Sequence, residues 1–152
     1  MKIIYFDIGA NMAFAHNGFG DFVVTGHRKF EGPRAHRAGA TRLWLAGRLE
    51  EVQTVCGLDL VVYERPFARG RDATRCLWGI AGIIEAEATN AGLPVVDAEN
   101  KAVKKFATGG GAANKAGLLE AAQRLGYVGE IEHEADAYCG LKYAEKFCAR
   151  TL

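Results

Sequence analysis

Paired cysteines are missing from this chain. Cys56, Cys76, Cys139 and Cys148 lie far apart, with no CxxC pair and no histidine at finger spacing, so the sequence suggests neither a disulfide framework nor a zinc site. Reduced, mostly buried thiols are expected. Long apolar runs are missing too: Lys2 is followed by only four apolar residues before Asp7, and no later stretch reaches transmembrane length. Neither a signal peptide nor a membrane span is expected, and the cytoplasm is the expected compartment. Only three prolines occur in the 152 residues, and no internal repeat or low-complexity segment is visible. With 49% of residues hydrophobic and 24% charged, the chain reads as one domain, residues 1–152, with a sizeable core.

An excess of charge of one sign is also lacking. The net charge of +1 argues by itself against a nucleic-acid binder, because such domains are often strongly basic. Its distribution argues the other way. Arg65, Arg69, Arg71 and Arg75 come just after Glu64, and Lys101, Lys104, Lys105 and Lys115 flank the run Gly109-Gly110-Gly111. Acids elsewhere cancel this basicity in the total without neutralising it locally, and a basic patch on a nearly neutral protein attracts phosphate. For any single one of these side chains, an ordinary solvated charge is the simpler reading.

What the chain does contain is acids in telling places. Ile3-Ile4-Tyr5-Phe6 runs into Asp7 and Leu60-Val61-Val62-Tyr63 runs into Glu64; both read as strands buried on two faces, each placing a carboxylate at the sheet rim. Asp136, in His133-Glu134-Ala135-Asp136-Ala137, opens the last helical stretch. Converging carboxylates repel unless a cation lies between them, and oxygen ligands of this kind suit Mg²⁺ or Mn²⁺. A metal-dependent phosphoryl-transfer site is the first expectation.

The element order supports it. A strand over about Lys2 to Ile8, turn residues Gly9-Ala10-Asn11, a strand at Met12 to His16, turns at Asn17-Gly18 and Gly20-Asp21, and a strand from Phe22 to Phe30 predict an antiparallel meander. A helix over Arg37 to Cys56 follows, with an apolar face at Leu43, Ala46, Leu49, Val52 and Cys56 and a stop at Gly57. Strands at Leu60 to Glu64 and Leu93 to Val96, separated by helices, imply parallel crossovers. The expected fold is α/β and ribonuclease H-like: a five-stranded mixed sheet flanked by helices. In the last helix, Ala137, Gly140, Leu141, Ala144 and Cys148 form the inward stripe, and His133 and Asp136 extend it by one turn whereas Glu134 falls off it. An inward Asp is costly unless paired or bound to metal; the alternative is an acid that merely caps or salt-bridges the helix start.

These three motifs resemble the metal-binding motifs of RuvC-type Holliday junction resolvases, especially the short phage-borne branch. The resemblance covers nearly the whole chain, including Arg69-Gly70 and the lysine-rich glycine stretch. It implies that Asp7 bridges two Mg²⁺ ions, for which Mn²⁺ can substitute, that Glu64 and Asp136 hold one each, and that His133 stands where many relatives have an acid, as ligand, water orienter or proton acceptor. It also implies binding of branched DNA through Arg69, Arg71, Arg75, Lys101, Lys104, Lys105 and Lys115, a homodimer giving two symmetric sites, and host cytoplasm as the location if the chain is phage-encoded.

Two cations on shared carboxylates need no side-chain nucleophile. That agrees with His16, His27 and His36 being scattered without a catalytic partner. Other readings remain open at this point: a ribonuclease H-like nuclease acting on RNA or hybrids, a relative that processes ribosomal RNA, and a non-catalytic junction-binding protein whose acids are structural. An actin-like or sugar-kinase-like ATP site is disfavoured, since those proteins duplicate the domain and 152 residues leave no room for a second half.

Overall fold

Ile3-Ile4-Tyr5-Phe6 offers nothing polar to solvent, and it occupies the middle of the sheet. The computed structural model describes residues 1–67, 70–110 and 114–150. Strands β1 (Ile3–Asp7), β2 (Asn11–Phe19) and β3 (Phe22–Lys29) form the meander, followed by α1 (Arg34–Cys56), β4 (Leu60–Glu64), α2 (Arg71–Asn90), β5 (Val95–Ala98), α3 (Asn100–Thr108), α4 (Lys115–Arg124) and α5 (Glu132–Phe147). Among the described residues the five strands lie in the order β3-β2-β1-β4-β5. β1 pairs antiparallel with β2 and parallel with β4, and β4 pairs parallel with β5. This is the expected mixed sheet.

Period-2 alternation sends successive side chains to opposite faces, so the sheet carries two cores. Ile3, Tyr5, Leu60 and Val62 pack with α5 and with residues of α3 and α4. Ile4, Phe6, Val61 and Tyr63 pack against α1 and α2 on the other side.

Two expectations change in detail. On α1 the buried residues are Thr41, Leu45, Leu49 and Val52, while Leu43 is 77% exposed. Steps of three residues turn the stripe by about 60° each, so a face drawn as Leu43, Ala46, Leu49 drifts off the core, whereas steps of four and three stay on it. Asn17-Gly18 is not a turn: β2 continues to Phe19, with an irregular register between His16 and Phe19. Asn17 instead accepts from Ile3 N at 2.7 Å and donates to Glu145 Oε1 at 2.8 Å. A Cβ on Gly18 would lie 2.9 Å from Cys56 Sγ, so the glycine serves close packing there.

Candidate metal centre and nucleic-acid groove

The register of β1 on β4 places the first two acids. Tyr5 pairs with Val62, and two residues further along each strand come Asp7 and Glu64, on the same face as that pair. Asp97 also lies near the end of a strand, β5, but pairs with Tyr63, which faces α1 and α2. There it accepts two bonds from the Arg65 guanidinium, each 2.9 Å. Alternation alone therefore separates two rim acids that share a site from one that does not.

The third acid comes down from α5. Ala137, Gly140, Leu141 and Ala144 are buried against the sheet, and Asp136 continues their face towards β1. Burial pushes the Asp136 carboxyl up to about 6; Lys104 and Lys115 oppose that rise, and the charges of Glu64 and Glu132 add to it. Its Oδ1 is buried with no hydrogen-bond partner. Asp7 is raised well above the ordinary carboxylate range, first by burial, then by a hydrogen bond to Glu64 and by the charges of Glu64 and Asp136. Asn100, the first residue of α3, donates to Glu64 Oε1.

Among the described residues no three His, Cys, Asp or Glu side chains form a closed ligand cluster. The acids stand as a hydrogen-bonded pair, Asp7 with Glu64, with Asp136 beside it. The raised Asp7 carboxyl beside Glu64 and an orphan oxygen on Asp136 are features a bound divalent ion would satisfy, so this donor set fits Mg²⁺ or Mn²⁺.

His133 stands beside the acids on the wall of the same groove. Asn11 Nδ2 lies 3.2 Å from its Nε2, the amide donating to the ring. Burial, then the charges of Lys115 and His27, lower the His133 pKa, which keeps the imidazole neutral at physiological pH. Glu134, judged off the inward stripe, is not a solvated acid: it accepts from Thr25 Oγ1 at 2.6 Å and pairs with His27 at 2.7 Å, tying α5 to β3.

Asp7, Glu64, His133 and Asp136 line one open groove of about 900 Å³. Lys101, Lys104 and Lys115 line it as well. Lys115 also lies 3.5 Å from Glu132, and Asn114 caps α4 by accepting from Gly117 N at 2.9 Å. Lys105 is exposed in the last turn of α3 and does not line the groove, and Arg71 is exposed at the start of α2. Arg75 faces a different cavity. Arg69 lies outside the described residues, as does Gly111. The residues that the sequence did not single out are Asn11, Asn100 and the exposed Phe67 on the groove wall. A polar residue at a helix start, as at Asn100, was the available signal.

The fold matches two solved structures of Thermus thermophilus RuvC, one of them described as in complex with a Holliday junction substrate. Each is 19% identical over 99% of this chain and 96% of that one, with TM-scores of 0.75 and 0.77. This chain has the RuvC fold. The yeast mitochondrial Holliday junction resolvase Ydc2 matches more loosely, at 11% identity and a TM-score of 0.57 over 99% of this chain and 84% of that one. No family model and no curated protein sequence matches the chain. The RuvC fold thus carries, in this sequence, a half-buried carboxylate pair on adjacent parallel strands and a third acid on the last helix, under a rim of lysines.

Proposed function

We propose that this chain is a divalent-metal-dependent endonuclease that cleaves branched DNA, with the four-way Holliday junction as its substrate. One observation carries the reading: three acids from β1, β4 and α5 meet at the base of a groove that lysines from α3 and α4 border. The fold shared with RuvC and the yeast resolvase supports the choice of substrate.

Asp7, Glu64 and Asp136 would hold the divalent metal, which would activate a water and stabilise the leaving 3′ oxygen. Asn100 holds the Glu64 carboxylate in one orientation through its amide. His133 stands at the groove wall with Nε2 accepting from the Asn11 amide, so that nitrogen would serve a metal or take the attacking water's proton once the bond to Asn11 gives way. Lys101, Lys104 and Lys115 position the DNA backbone through its phosphates. Two symmetric nicks require two sites related by a two-fold axis, which a homodimer supplies. The outward face of α2, with Trp78 53% exposed, is the surface proposed for it.

The test is cleavage of end-labelled four-way, three-way and linear DNA with Mg²⁺ and with EDTA. Paired nicks in the four-way junction, dependent on Mg²⁺, are expected. Binding without cleavage under every condition would replace the enzyme by a junction-binding protein.

A further inference from the structure

The turn Gly9-Ala10 has a cavity on each side. One is the carboxylate groove; the other, about 380 Å³, opens between α1 and α2, outside the proposed chemistry. Its walls combine two guanidiniums, Arg37 and Arg75, with the apolar side chains of Phe30, Ile80 and Ile83. Among the described residues no carboxylate lines it. Arg37 Nε is buried with no hydrogen-bond partner, and neither arginine is in an ion pair among the described residues. Thr41, only 3% exposed, adds a hydroxyl to the same wall.

Arg37 is half-buried and Arg75 exposed, and guanidiniums that share a wall without a counter-charge attract an anion. The guanidinium fork suits phosphate, which it can hold through two parallel bonds. Phe30, Ile80 and Ile83 supply an apolar surface for a flat ring, and the volume falls within the range of small-molecule sites, about 300–1,000 Å³. We propose that this cavity binds a nucleotide, its phosphate on Arg37 and Arg75 and its base against Phe30, Ile80 and Ile83. The nucleotide comes either from a DNA strand leaving the carboxylate groove over the Gly9-Ala10 turn or from the free pool.

The experiment uses the wild-type chain in EDTA, so that neither metal nor cleavage enters the readout. Millimolar thymidine monophosphate is expected to raise Tm saturably, by roughly 3–5 °C at tenfold excess over Kd, inorganic phosphate less, and thymidine without phosphate little. Arg37→Gln should abolish the shift. So should Gly79→Leu, which fills the cavity from a position where an added Cβ meets nothing within 4 Å, and which serves if the arginine variant fails to fold. Four-way junction affinity under the same conditions separates the sources: a tenfold or greater loss in Arg37→Gln assigns the site to the DNA strand, and unchanged affinity assigns it to free nucleotide. No shift with thymidine monophosphate, or the same shift in both variants, overturns the proposal. A chain that never cuts DNA can still pass, so the outcome is independent of the proposed nuclease activity.

Discussion

A Cβ placed on Gly140 would lie 2.1 Å from Cε1 of Tyr5, so α5 crosses β1 at a point that admits only bare backbone. The crossing sets the distance between the acids. Asp7 is two residues beyond Tyr5 on the same face of β1, and Asp136 is one helical turn before Gly140 on the same face of α5.

Gly140→Ala is therefore expected to destabilise the protein by about 1–3 kcal/mol through overpacking, although alanine is the better helix former by about 1 kcal/mol. Pushing α5 off the sheet is also expected to draw Asp136 away from Asp7 and so to weaken the proposed metal binding. Removing the ring with Tyr5→Ala makes room, so the double variant should lose less stability than the two single losses added together. Strict additivity in urea denaturation would mean that the two residues do not limit the approach.

The acids make the metal-free fold pH-sensitive. Asp136 sits at about 6 against about 3.9 in an unfolded chain. Its folded pKa is raised, so the stability it contributes is fully present below about pH 4 and is lost as pH rises through about 6, a change of about 2–3 kcal/mol. Asp7 shifts in the same direction. In EDTA, Asp136→Asn should melt several degrees above wild type at pH 7.5, with the gap closing near pH 4. A gap of equal size at both pH values would show that this carboxylate carries no strain.

The lysines are not equivalent. Lys104 acts electrostatically on both Asp7 and Asp136, and Lys115 on Asp136 and His133, whereas Lys105 lies outside the groove. Replacing Lys104 and Lys115 with alanine should weaken junction binding regardless of sequence and lower the slope of log affinity against log salt by about 2, and replacing Lys105 should do neither. Equal effects from all three would shift the DNA path out of the groove.

Much of this was legible because burial on two faces leaves a plain pattern. Leu60-Val61-Val62-Tyr63-Glu64 reads as a buried strand with an acid at its end, and it is β4 residue for residue. The phase of Asp136 followed from Gly140, Leu141 and Ala144. What was not legible depends on long-range partners. Asn17-Gly18 has turn chemistry, but contacts with Ile3, Glu145 and Cys56 keep it in a strand. Glu134 looked like a surface acid because its partners, Thr25 and His27, belong to a strand more than a hundred residues earlier. Asn100 gave no sign of its target, since Glu64 is 36 residues away and meets it only through the pairing of β4 with β5.

The most direct test of the central claim is cleavage of a four-way junction by Asp7→Asn protein in Mg²⁺, measured beside its junction affinity and its melting curve. The acids are assigned to the metal and the lysines to the phosphates, so the expected result is a folded protein that binds the junction nearly as well as wild type while its cleavage rate falls by at least a thousandfold, on the order of 4 kcal/mol of lost transition-state stabilisation. Cleavage at the wild-type rate by that folded variant would contradict the account.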